Sequence, residues 1–213
     1  MKNKKGLKIF LIIIVLVIVI LAIHLIRNFM IINKINKKQE ELSKSNNYFY
    51  AIESNAGTTT EVYYKDGISK NIIKTKDTTM ITWYDEKTRE TITYSPQTMK
   101  ASVGTGFGIV QLQTISSGNN FILALLSNIS SDEINGEKCY VVKSSGETTY
   151  ISEERGLTLK RVGAKIVQNG IETESIVKYK EWRINELTDE EMSKPDLTGY
   201  EVSDAATGYD YQY

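Results

Sequence analysis

The sequence predicts an α+β protein, with an N-terminal membrane-spanning helix leading into an antiparallel sheet covered by helix. Three observations carry that prediction. Ile9 to Ile26 read IFLIIIVLVIVILAIHLI, and only His24 among these eighteen residues is strongly polar. Beyond Asn47, short stretches rich in Tyr, Thr, Ile and Val alternate with turn residues. One segment, near 119–130, instead repeats its apolar residues at helical spacing.

The first element is a span. At about 1.5 Å per residue, eighteen residues reach roughly 27 Å, close to one hydrocarbon core. A helix that is apolar all round has no solvated face, so a soluble surface helix is excluded. Lys2, Lys4, Lys5 and Lys8 precede the run, and no small-x-small cleavage site follows it. That pattern is a retained signal anchor rather than a cleaved signal peptide. The expected layout is a cytoplasmic tail (1–8), a span (9–30) and a juxtamembrane helix or linker (31–46). Arg27, Lys34, Lys37 and Lys38 nearly balance the N-terminal lysines across the span. The acid-free N-terminal tail and the single cysteine beyond the span favour an N-terminus inside and the remaining chain outside the cytoplasm. His24 is expected to reach toward the interface rather than relay protons.

Charge divides the chain. Residues 1–38 hold eight of the 26 basic residues and no acids, so 39–213 carry 18 basic and 26 acidic residues, a net of −8. An acidic domain lacks the Lys/Arg clusters that nucleic-acid binding needs, and no nucleic-acid partner is expected. The basic stem suits anionic headgroups.

The domain is expected over 47–203, with a short polar tail at 204–213. Strands are predicted at Tyr48–Ile52, Glu61–Lys65, Ile68–Lys74, Thr78–Tyr84, Thr91–Tyr94 and Ala101–Val103. Lys65-Asp66-Gly67 and Asp85-Glu86-Lys87 are hairpin turns. Phe121, Ile122, Leu125, Leu126 and Ile129 then form one helical stripe, widened by Leu123 and Ala124, with Asn119 or Asn120 as N-cap. This helix should face little water, and Leu126→Glu should unfold or open the domain. Ile109–Ile115 is a further turn or two of helix. Strands resume at Lys138–Lys143, Thr148–Ser152, Thr158–Val162, Lys165–Gln168 and Ile171–Ile184. Asn135-Gly136, Ser145-Gly146, Arg155-Gly156 and Asn169-Gly170 space them as a meander. Thr188 followed by Asp-Glu-Glu starts a capped helix that Lys194-Pro195 ends. A helix as apolar as 119–130 needs a broad partner surface, which a curved sheet supplies.

Catalytic inventory is thin. The only histidine lies in the span, which removes Ser-His-Asp and Cys-His chemistry and His-dependent metal sites from the domain. No metal, no cofactor and no enzymatic activity are expected. The carboxylate pairs Asp85-Glu86, Asp132-Glu133, Glu153-Glu154 and Asp189-Glu190-Glu191 sit at turns and helix starts, where solvated charge is ordinary. Gly104-Thr105-Gly106-Phe107-Gly108 lacks phosphate-loop spacing and reads as a strand-to-helix connection. Cys139 sits in an apolar strand pattern, where a buried small hydrophobe is expected. Thirteen tyrosines and two tryptophans, Trp83 and Trp182, offer apolar faces with one polar end.

The second half is familiar as a set of motifs: Asn135-Gly136-Glu137-Lys138-Cys139-Tyr140-Val141-Val142, Thr149-Tyr150-Ile151, Gly156-Leu157-Thr158-Leu159-Lys160 and Tyr179-Lys180-Glu181-Trp182-Arg183-Ile184-Asn185. With Asn47-Tyr48 and Tyr64-Lys65-Asp66-Gly67, they resemble the lipoprotein-carrier superfamily, LolA/LolB-like, over roughly 46–202. The departures are Thr158 in place of a usual proline, no lipobox cysteine, and a membrane anchor. The resemblance implies a strongly bent, unclosed antiparallel half-barrel whose hollow is covered by helices and holds acyl chains or another apolar ligand. The expected function is then a membrane-anchored extracytoplasmic module holding a lipid, lipoprotein or other apolar ligand between the sheet and the 119–130 helix. The expected apolar lining is Phe121, Ile122, Leu125, Leu126, Ile129, Trp83 and Trp182. The alternative is a non-enzymatic envelope scaffold with a filled core and an envelope protein as partner.

Overall fold

The structure, a computed structural model, describes residues 4–106, 120–168 and 171–204. The expected helix at Ile109–Ile115, the Asn119 cap, the Asn169-Gly170 turn and all of the tail past Asp204 lie outside them.

Helix α1 runs without a break over Lys4–Ser43. Six strands follow: β1 (Asn47–Ser54), β2 (Thr59–Lys65), β3 (Ile68–Lys74), β4 (Thr79–Asp85), β5 (Glu90–Ser95) and β6 (Lys100–Thr105). The short helix α2 (Asn120–Leu126) interrupts them. Then come β7 (Asn128–Ile134), β8 (Glu137–Ser144), β9 (Glu147–Ser152), β10 (Thr158–Val162), β11 (Ile166–Gln168), β12 (Ile171–Thr173), β13 (Ile176–Ile184) and β14 (Glu201–Asp204).

Twelve strands form one curved, unclosed sheet in the order β14-β6-β5-β4-β3-β2-β1-β13-β10-β9-β8-β7, with β11 and β12 a separate hairpin. Among the described residues every pairing is antiparallel except β14 on β6. This is the α+β half-barrel that the sequence predicts. Hairpin chemistry explains much of it. Asp66 and Gly67 have φ of 49° and 88°, and Asn135-Gly136 and Ser145-Gly146 repeat that pairing. Two successive positive φ values make the tight turn whose twist matches a hairpin's.

Two expectations are corrected, at Ile129 and at Thr188. Helix α2 stops at Leu126, and Ile129 belongs to strand β7, paired with Val142. Of the two forms expected for 31–46, helix or linker, helix is seen up to Ser43, where α1 continues and packs on the domain. Leu25, Asn28, Ile32, Ile35, Gln39 and Leu42 face inward, at alternating three- and four-residue spacing. Thr188 does make a capping box, its amide donating to Glu191 Oε2 at 2.9 Å and the Glu191 amide donating to Thr188 Oγ1 at 3.3 Å. Yet only a turn forms, since Pro195 bars helix within a few residues.

The two faces of the sheet are covered by different segments. The register places Tyr50, Trp182, Tyr179, Arg161, Thr149 and Val142 on the face that carries α1. There Ile32 and Ile35 join Ala124, Ile129, Val142 and Ile151 in one buried cluster. The opposite face carries Phe49, Tyr63, Lys70, Trp83 and Ile92 in a row across β1 to β5. The return segment after β13 covers it, placing Leu187 and Met192 against Phe49 and Ala51.

Candidate functional site

Helix α1 is the organiser of the site. Its inward residues dock on the β7–β9 end of the sheet through polar pegs as well as apolar contact. Gln39 Nε2 donates to the Gly156 carbonyl at 3.2 Å, and Lys38 Nζ donates to the Glu153 carbonyl at 3.3 Å. Asn28 is fully buried, and its Nδ2 donates to the carbonyls of Ser127 (3.0 Å) and Ala124 (3.3 Å). The same nitrogen lies 3.3 Å from His24 Nε2. Higher on α1, Asn36 Nδ2 donates to Asn120 Oδ1 at 2.5 Å, and Asn120 Nδ2 donates to Asn33 Oδ1 at 2.7 Å. Helix α2 therefore lies antiparallel along α1, with its last turn pinned at Asn28.

Between α1, α2 and β8–β10 is a cavity of about 290 Å³. That is near the lower end of small-molecule sites, which run about 300–1,000 Å³. Ile32, Leu123 and Val142 give it an apolar wall, while Glu147, Thr149 and Arg161 are among the polar groups at its rim. The Ser127 hydroxyl also borders it, buried and without a hydrogen-bond partner among the described residues. The arrangement suits a guest with a short apolar part and one polar end. A wider, more open depression near Lys34, Glu137, Lys138, Glu154 and Arg155 is lined mostly by charged side chains.

None of the seven residues predicted to line the site borders this cavity. Phe121 and Ile122 are each 51% exposed, Leu125 61% and Leu126 67%. The stripe thus turns outward, against expectation. The side of α2 that packs inward is Ala124, with Leu123 beside it, because a small residue lets two helix backbones approach. Ile129 is buried, but as a strand residue beneath α1. Trp182 shares the α1 face, stacked on Tyr179 with centroids 5.3 Å apart, and its Nε1 donates to the Thr158 carbonyl. Trp83 lies on the opposite face, where its Nε1 donates to the Met192 carbonyl at 3.0 Å. The residues missed are Ile32 and the α1 face around it, together with Val142, Thr149 and Arg161 on the sheet and Leu123 on α2. For the α1 residues a signal existed. Their heptad-like spacing from Leu25 to Leu42 was the available signal, masked by polar Asn28 and Gln39.

The electrostatics are those of a packed aromatic sheet. Burial pushes the Tyr50 hydroxyl up to about 12, with nearby Tyr179 adding to the effect. Burial likewise raises Tyr48, Tyr63 and Tyr179. Cys139 is fully buried, as expected, and burial raises its thiol above the ordinary range, with Asp132 adding to the shift.

No family model and no curated protein sequence matches the chain. Among solved structures, an uncharacterized conserved protein from Thermus thermophilus is 12% identical. That match covers 81% of this chain and 98% of the other, with a TM-score of 0.53. The Mycobacterium tuberculosis lipoprotein LppX is 11% identical over 75% of this chain and 97% of its own, with a TM-score of 0.43. At 12% identity, the Thermus likeness is one of fold, a half-barrel module preceded here by a long apolar helix.

Proposed function

We propose that the chain is a membrane-anchored, non-enzymatic binding module of the lipoprotein-carrier type. Helix α1 anchors it with the N-terminus inside, and the half-barrel stands outside the cytoplasm. Its ligand is a lipid, a lipoprotein acyl chain or another apolar molecule. The observation that carries this reading is the cavity between α1, α2 and β8–β10. It opens beside Ile32, six residues beyond the apolar run, or roughly 9 Å along the helix. A lipid would have a short path from bilayer to pocket. The motif resemblance supports the same ligand class.

The test uses the full chain in vesicles containing a diazirine-bearing phospholipid. Crosslinks should map to Val142 or Thr149 as well as to the span, and Thr149→Trp, which fills the cavity, should abolish the pocket crosslinks. Crosslinks confined to residues 9–30 and to α2 sink the reading. Protease added to spheroplasts should digest the domain, and full protection sinks the placement outside the cytoplasm.

A second reading has its own observation. Ile32 and Ile35 are each 1% exposed against Ile129, Val142 and Ile151, so α1 itself supplies much of the apolar filling. In that case the module is an envelope scaffold, and the pocket crosslinks are absent.

A further inference from the structure

We propose that α2 is a second membrane contact, its outer apolar face resting in the headgroup–acyl boundary of the bilayer that α1 crosses. The proposal rests on the reading of α1 as a membrane span.

The geometry fixes the height of α2. The apolar run ends at Ile26, and the pin at Asn28 lies two residues, or about 3 Å, farther along α1. Asn120, at the other end of α2, bonds Asn33 and Asn36, about 11–15 Å past the run. Headgroup layers add several ångströms beyond each side of a hydrocarbon core about 30 Å thick. The last turn of α2 therefore sits at the headgroup level and its first turn in water. Apolar exposure rises along α2: Asn120 and Phe121, the latter 51% exposed, are at the wet end, while Leu125 and Leu126, at 61% and 67% exposure, are at the bilayer end.

Composition agrees. Helix α2 reads NFILALL and holds no charge, so after Asn120 no polar side chain on it resists entry into lipid. The exposed side chains Leu125 and Leu126 lie near the Asn28 pin, and Leu21, seven residues before Asn28 on the same side of α1, is exposed as well. Interfacial helices bury an apolar face roughly 5–10 Å into this boundary. Exposed leucines in water lose that stabilisation. With two contact points, the half-barrel is held at a set tilt, its pocket beside the lipid surface.

The experiment places nitroxide labels on cysteines introduced into the full chain, reconstituted in phosphatidylcholine–phosphatidylglycerol vesicles. Cys139 is fully buried and stays unlabelled, with the parent chain as control. Labels at Val17→Cys, in the span, and Lys76→Cys, on an exposed loop, give the two references. Relative access to oxygen and to a water-soluble nickel chelate is read at each site. The Leu126→Cys label should favour oxygen several-fold more than Lys76→Cys, at a depth shallower than Val17→Cys. A water-like Leu126 label beside a lipid-like Val17 label overturns this proposal and leaves the span intact. A water-like Val17 label overturns both. A Leu126 label reached by neither reagent marks a protein neighbour, a second copy included, and also overturns the lipid contact.

Discussion

Gly156 lies directly beneath α1: a Cβ built on it would stand 2.6 Å from the Lys38 Cβ, and its φ is +74°. Backbone conformation and helix docking therefore both demand glycine at this one turn. Gly156→Ala should cost about 1–2 kcal/mol in left-handed strain and about 1–3 kcal/mol in crowding. Thermal melts of the detergent-solubilised chain measure the sum. An unchanged melting temperature would show that α1 does not dock here.

Ala124 and Leu126 should respond in opposite order to their size. Ala124 is 1% exposed against α1, whereas Leu126 is 67% exposed. Ala124→Leu should destabilise by about 1–3 kcal/mol through overpacking. Leu126→Glu should leave the stability in detergent within about 0.5 kcal/mol of the parent, as for other surface changes. A large loss from Leu126→Glu in detergent would return the stripe to the interior.

The C-terminal half of α1 belongs to the folded domain. Fully burying an isoleucine side chain is worth about 1.5–3 kcal/mol, so removing Ile32 and Ile35 together forfeits about 3–6 kcal/mol. A fragment beginning at Leu25 should unfold cooperatively. One beginning at Asn47 should bind an apolar dye through bared Ile129, Val142 and Ile151 and melt without a sharp transition. Equal melts for the two would refute the docking.

Alkaline pH should unfold the domain. A tyrosine whose folded pKa is raised contributes stability that is intact below its unfolded value, about 10, and is lost as pH rises through the folded value. For Tyr50 that window runs from about 10 up to about 12. Tyr48, Tyr63 and Tyr179, also raised, add to the same decline. Tyrosinate absorbance should lag behind that of free tyrosine and then rise together with loss of the far-UV signal. Simple titration near pH 10 with the fold intact would contradict the burial.

Much of the fold was legible in local chemistry. Turn pairs such as Asp66-Gly67 and Asn135-Gly136, together with alternation along Met80 to Tyr84, mark hairpins, because φ preferences and side-chain period act over a few residues. The apolar run from Ile9 to Ile26 marks a helix exposed to something other than water for the same short-range reason. What tertiary structure alone decided is which surfaces meet. Strand β14 joins β6 in parallel, and nothing local in Glu201–Asp204 marks a partner about a hundred residues away. Ile129 continues the helical spacing of Leu125, yet pairing with Val142 across β8 claims it for the sheet. Helix α2 is apolar on several sides, so its sequence did not determine which side is buried. The approach of α1 did, since only Ala124 is small enough to sit against that helix while Asn28 reaches the carbonyls of Ala124 and Ser127.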